Sequence, residues 1–170
     1  IRWIERGDLK GFKLPGRGNN RITQHDFVNF LKLHDMPIPA ELIHDRDNHI
    51  LIVDDEVPFS KSIQRVLRGV GYKTTVANDG FAAGSFLSSI KPAVMTLDLS
   101  MPGLDGYDVI RFVRHSEDIA ATKILVVSAL NDQELKRAVE YGADAYLQKP
   151  YANSELLAAI EMLLDHKGAG

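Results

Sequence analysis

Two stretches of the chain put carboxylates where an apolar run stops. Residues 49–55 read "HILIVDD" and end on Asp54 and Asp55; residues 93–98 read "AVMTLD" and end on Asp98. Two further runs end on groups of other chemistry: "KILVVSA" (123–129) on Ser128, and "AYLQKP" (145–150) on Lys149 and Pro150. A carboxylate at the edge of an apolar core costs free energy unless something positive meets it. Each group alone has an ordinary explanation as a solvated turn or a plain loop residue. If the runs are neighbouring strands with a common direction, all of them meet at one rim. Clustered carboxylates repel one another, and a hard divalent cation such as Mg²⁺, which prefers oxygen ligands, relieves that repulsion. A carboxylate so placed can act as a nucleophile in phosphoryl transfer. Lys149 then supplies a compact positive charge, and Ser128 a hydroxyl donor, for the transferred group.

The elements needed to bring these residues together are legible. Ile50–Val53 and Ile124–Val127 are apolar without alternation, as in strands covered on both faces. Between the runs lie helical spacings: Phe59, Ile63, Val66, Leu67 and Val70; Leu135, Ala138 and Val139; Leu156, Leu157, Ile160, Leu163 and Leu164. Gly71 and Gly142 stand where helices stop, and Asp79-Gly80 where one opens. Strands and helices in strict alternation predict an α/β fold, a five-stranded parallel doubly wound domain. The flavodoxin-like order 2-1-3-4-5 places the polar run "KTTVAN" (73–78) at an edge. In such sheets ligands bind beyond the carboxyl ends of the strands, at the switch point between the first and third.

Composition narrows the classes. The 170 residues are 45% hydrophobic and 25% charged, which is ordinary for a globular chain, and no apolar run is long enough for a membrane span. Cysteine is absent, which excludes disulfides, thiolate metal sites and a cysteine nucleophile and fits a cytoplasmic protein. The net charge of −3 is uneven: residues 1–32 hold seven Lys or Arg against three Asp or Glu, a balance of +4 that leaves −7 for the rest. A basic end on an acidic body predicts different partners for the two parts. We read residues 1–34 as a head, 35–48 as a linker with a short helical turn at 40–44, and 49–167 as the α/β domain. Because the chain starts at Ile1 without Met, it is expected to be a piece of a longer one.

The strings "ILIVDDE", "TLDLSMPGLDGYDVI", "ILVVSAL" and "AYLQKP" resemble the response-regulator receiver domain of bacterial two-component signalling, over roughly residues 48–167. The resemblance implies that Asp98 accepts a phosphoryl group from a phosphohistidine on a sensor histidine kinase or a histidine phosphotransfer protein. It implies Mg²⁺ held directly by Asp55, Asp98 and the backbone carbonyl of Ser100, with Asp54 acting through water. Lys149 and Ser128 would contact the phosphoryl group, the Lys149–Pro150 peptide would be cis, and Tyr146 would be the switch aromatic. It also implies a homodimer face on the fourth helix, fifth strand and fifth helix, where Lys136, Arg137, Asp144 and Glu155 offer ion pairs. Phosphorylation and dephosphorylation of its own Asp98 would be its only chemistry. A turnover phosphatase of the haloacid-dehalogenase kind ranks below this, because it wants an Asp where Ser100 stands.

In the head, "WIERGDL" is read as a helix end, and "LKGFKL" and "NRI" as a hairpin around "PGRGNN". "TQHDFVNFLKLH" reads as a helix capped by Thr23, with Phe27, Phe30 and Leu31 on one face. This resembles part of an excisionase-like or MerR-like winged helix-turn-helix. The resemblance implies Arg2 near the major groove and Lys13, Arg17, Asn20 and Arg21 near phosphates or the minor groove. The competing reading is a head that contacts protein rather than DNA.

Overall fold

The computed structural model describes residues 2–9, 11–13, 20–22, 24–38 and 48–165. The chain divides into two compact units, Ile1–His44 and Asp45–Gly170. The larger contains five strands, β3 (His49–Val53), β4 (Lys73–Ala77), β5 (Val94–Leu97), β6 (Lys123–Ser128) and β7 (Ala145–Gln148), which alternate with α3 (Val57–Gly69), α4 (Gly80–Ile90), α5 (Gly106–His115), α6 (Asp132–Glu140) and α7 (Asn153–Asp165). The strand order is β4-β3-β5-β6-β7, and every pairing is parallel. This is the expected 2-1-3-4-5 order with helices on both faces.

Strand periodicity builds the two layers. Leu51, Val53, Met95, Leu97, Ile124 and Val126 face one way and pack with α4, α5 and α6. Ile50, Ile52, Val94, Leu125 and Val127 face the other way and pack with α3 and α7. Both faces are therefore dry, which is why these strands read as unbroken apolar runs. β4 pairs only with β3 and keeps its middle residues half-exposed, as its polar composition implied. Val70 and Val139, counted with the helical stripes, lie outside the core at 44% and 41% exposure. Each falls in the last turn or at the cap, where the stripe has rotated away from the sheet.

Helix boundaries follow local chemistry. Asp79 caps α4 by accepting from Ala82 N–H at 2.7 Å, and Asn131 with Glu134 forms a capping box on α6. Gly71 (φ 96°) and Gly142 (φ 113°) follow α3 and α6 in the left-handed region that glycine tolerates.

The smaller unit has α1 (Arg2–Glu5), an antiparallel pair β1 (Phe12–Lys13) and β2 (Asn20–Arg21), and α2 (Gln24–Leu33). Leu9, Phe30 and Leu31 are buried in its small core, with Ile4, Ile22, Phe27 and Ile38 packed around them. Phe27, Phe30 and Leu31 thus share a face as their spacing predicts. Trp3 meets Phe30 edge-on at 5.2 Å. The loop 14–19 with Arg17, the cap Thr23 and the helical turn at 40–44 lie outside the described residues.

Candidate phosphoacceptor site

Four strand ends converge as expected. Asp54 follows β3 and Asp98 follows β5, and both are buried, at 2% and 3% exposure. Each closes an identical small turn: Glu56 N–H donates to Asp54 Oδ1 at 2.9 Å, and Ser100 N–H to Asp98 Oδ1 at 2.9 Å. Ser128, at the end of β6 and fully buried, donates to Asp98 Oδ1 at 2.7 Å. Lys149, just past β7, brings Nζ to 2.8 Å from Asp54 Oδ2 and 3.1 Å from Asp98 Oδ2. The Lys149–Pro150 peptide is cis.

Charge does not balance here. One ammonium faces Asp54, Asp98 and, at 3.7 Å, Glu56. Carboxylate oxygens of these three acids lie within 4.8 Å of one another, a set of hard donors able to hold a metal ion. Burial pushes the Asp54 carboxyl above its ordinary value, although Lys149 and the Glu56 N–H pull against it. The same carboxylates hold the Lys149 ammonium above its ordinary value against its own burial. A divalent cation would remove the remaining excess of two negative charges.

The set of close carboxylates includes one residue that the sequence did not single out. Glu56 joins Asp54 and Asp98, whereas Asp55 is half-buried and outside the set. The turn on Asp54 Oδ1 is followed by the Glu56 carboxylate, which lies 3.7 Å from Lys149 Nζ. Sequence reasoning also missed the Ser100 hydroxyl, 3.1 Å from Ser128 Oγ, and Asn78, which donates to the Asp54 carbonyl at 2.6 Å and to Ser60 Oγ at 3.2 Å. Phe59, expected only as a helix-face residue, lies under Lys149 Nζ.

Tyr146 is half-buried against the core, and its hydroxyl donates to Asp132 Oδ1 at 2.9 Å. The residues expected to form intersubunit ion pairs have partners within the chain. Lys136 pairs with Asp132 at 2.6 Å, and Asp144 with Arg114 at 2.6 Å and Lys123 at 3.2 Å. Arg137 donates to Tyr141 Oη at 3.2 Å, and Glu155 accepts from Ala152 N–H at 2.7 Å. In the smaller unit Arg2 is exposed, Lys13 lies on β1, and Asn20 and Arg21 lie on β2. Among the described residues no helix is long and apolar enough to cross a membrane.

A doubly wound parallel sheet with buried acids, a hydroxyl and a lysine at its switch point defines a class of signalling domain. The family model for the response regulator receiver domain matches residues 50–161, and the chain belongs to that family. It is 33% identical over 115 residues to the DNA-binding response regulator MtrA of Mycobacterium tuberculosis (strain ATCC 25618 / H37Rv), covering 68% of this chain and 50% of the relative. It is 40% identical over 116 residues to the response regulator MprA of Mycobacterium avium (strain 104), again 68% and 50%. The chain thus spans about half the length of these curated relatives. Among solved structures it is similar to a receiver domain from Bermanella marisrubri (48% identity, TM-score 0.65, 69% of this chain and 98% of that one). Another similar structure is the receiver domain of a DNA binding response regulator protein (merR) from Colwellia psychrerythraea 34H (29% identity, TM-score 0.65, 69% and 98%).

Proposed function

We propose that this chain is the phosphorylated switch of a two-component response regulator, with Asp98 as acceptor and the N-terminal unit as a DNA-binding head. The observation that carries the reading is Asp98 itself: buried at a strand end, with Ser128 and Lys149 on its two oxygens. An Asp98 oxygen would attack phosphorus of a phosphohistidine. The P–N bond breaks, its electron pair leaves with the imidazole, and an aspartyl phosphate forms. Lys149 and the Ser128 hydroxyl would meet the phosphoryl oxygens and offset their charge. Mg²⁺ would be held by Asp55, Asp98 and the Ser100 carbonyl, with Asp54 acting through water and Glu56 close by, and would supply charge neutralisation for the phosphoryl group. The chain would turn over no other substrate. Pairing of two copies through α6, β7 and α7 belongs to the same reading.

The head's +4 balance and the names of the MtrA and Colwellia relatives support DNA over protein as its partner. The test of the acceptor is direct. Incubated with Mg²⁺ and acetyl phosphate, the protein should gain the mass of one phosphoryl group, and Asp98→Asn should gain none. A comparable gain by Asp98→Asn would overturn the assignment.

A further inference from the structure

Lys149 brings a long, flexible side chain into the site, and its position depends on what surrounds its head. Its stem has four rotatable carbons, and an ammonium hydrates strongly unless water is kept away. Yet the side chain is only 6% exposed. Three carboxylates approach Nζ, at 2.8, 3.1 and 3.7 Å. An aromatic ring also meets the ammonium: Nζ lies over Phe59, 4.0 Å from its centroid. Phe59 is in the first turn of α3, three residues after Glu56, so the helix that carries the ring starts directly from the acidic turn. The ring presents its negative face to the ammonium and fills the place where water would solvate it.

We propose that Phe59 is a positioning residue for Lys149: its ring face seats the ammonium so that the charge meeting the incoming phosphoryl group is held dry and aimed at Asp98. This rests on the reading of Asp98 as the acceptor. The alternative is that Phe59 only fills space between α3 and the segment Pro150–Tyr151, with which it lines a small groove. A leucine would serve that packing role nearly as well, but it has no π face.

The experiment uses the whole chain with Mg²⁺ and acetyl phosphate, and compares Phe59→Leu, Phe59→Tyr, Lys149→Ala and the Phe59→Leu/Lys149→Ala double variant. Phe59→Leu should slow phosphoryl uptake about fivefold, the scale of one exposed-to-buried cation–π contact. Phe59→Tyr, which keeps the ring face, should stay within about twofold of wild type. In the Lys149→Ala background, Phe59→Leu should slow uptake no further, since a double-mutant cycle isolates the pair. Separately, the ¹⁵Nζ resonance of Lys149, visible only when shielded from exchange with water, should appear in wild type and Phe59→Tyr and vanish in Phe59→Leu. Phe59→Met gives a second ring-free variant where leucine disturbs folding.

Uptake by Phe59→Leu within about twofold of wild type, an equal slowing in the Lys149→Ala background, or a persistent Nζ signal would each overturn the proposal. If wild type gains no phosphoryl group, the acceptor reading falls. The Nζ signal then decides Phe59 alone: its loss in Phe59→Leu supports the seat, and its persistence removes it.

Discussion

Asp132 shows how one side chain can tie several groups. Its two oxygens accept from Tyr146 Oη at 2.9 Å and pair with Lys136 Nζ at 2.6 Å. The Lys136 hydrogen bond, followed by that from Tyr146, holds the Asp132 carboxyl below its ordinary value of 3.8, and the same bond to Asp132 raises the Tyr146 phenol. A carboxyl depressed on folding contributes stability that is present above its unfolded value and lost as pH falls through the folded one. Asp132→Ala should therefore melt below wild type at neutral pH. The gap should close as pH falls below the ordinary carboxylate value, read as melting temperature against pH. A gap that stays constant down to acid would show that the loss is packing rather than charge. Because the ion pair is exposed, the effect at neutral pH should be small.

The turn between β5 and α5 sets the geometry around Asp98, and one glycine limits it. A Cβ on Gly106 would meet Leu99 Cδ2 at 2.5 Å and the Leu99 backbone Cα at 3.0 Å. The flexible side chain can move aside, but the backbone of Leu99 sits between Asp98 and Ser100. Gly106→Ala should cost about 1–3 kcal/mol in chemical denaturation, the usual range for overpacking. It should also slow phosphoryl uptake, because the strain falls on the Asp98–Ser100 turn. Gly80 is the contrast: a Cβ there meets only the Leu104 side chain, at 2.7 Å. Gly80→Ala should be better tolerated in both measurements. Equal losses for the two variants would mean that the β5–α5 turn absorbs strain as easily as a side chain does.

At the scale of the whole molecule, the two units carry opposite charge balances, +2 over Ile1–His44 and −5 over Asp45–Gly170, with the positive charge concentrated in residues 1–32. If the head binds duplex DNA through a wing, each lost phosphate contact should flatten the slope of log K against log salt by roughly one unit. Arg17→Ala and Arg21→Ala should each weaken binding on all sequences alike. Arg2→Ala should instead change preference between sequences, by about 1–3 kcal/mol for a bidentate base contact. Affinity measured by fluorescence anisotropy over a salt series separates the two behaviours. An affinity indifferent to salt and to both arginines would leave protein as the head's partner.

Much of this was legible from residue types and spacing. Unbroken apolar runs specify strands buried on both faces, glycines and Asp79 mark helix ends, and alternation with right-handed crossovers leaves few strand orders. From these it followed that Asp54, Asp98, Ser128 and Lys149 share a rim, since parallel strands deliver their carboxyl ends to one side. What the tertiary structure alone decided is which neighbours complete the site. Glu56 joins the acidic set beside a backbone N–H bond to Asp54 Oδ1 that turns the chain, at a distance no periodicity expresses. Asn78 reaches Asp54 from 24 residues away, and the Phe59 ring finds Lys149 across 90 positions of sequence. The surface acids and bases of α6, β7 and α7 find partners in their own chain for the same reason. Contacts between side chains on different elements depend on rotamers and on the angles at which helices lie against the sheet. Burial and repulsion settle those only once the sheet has closed.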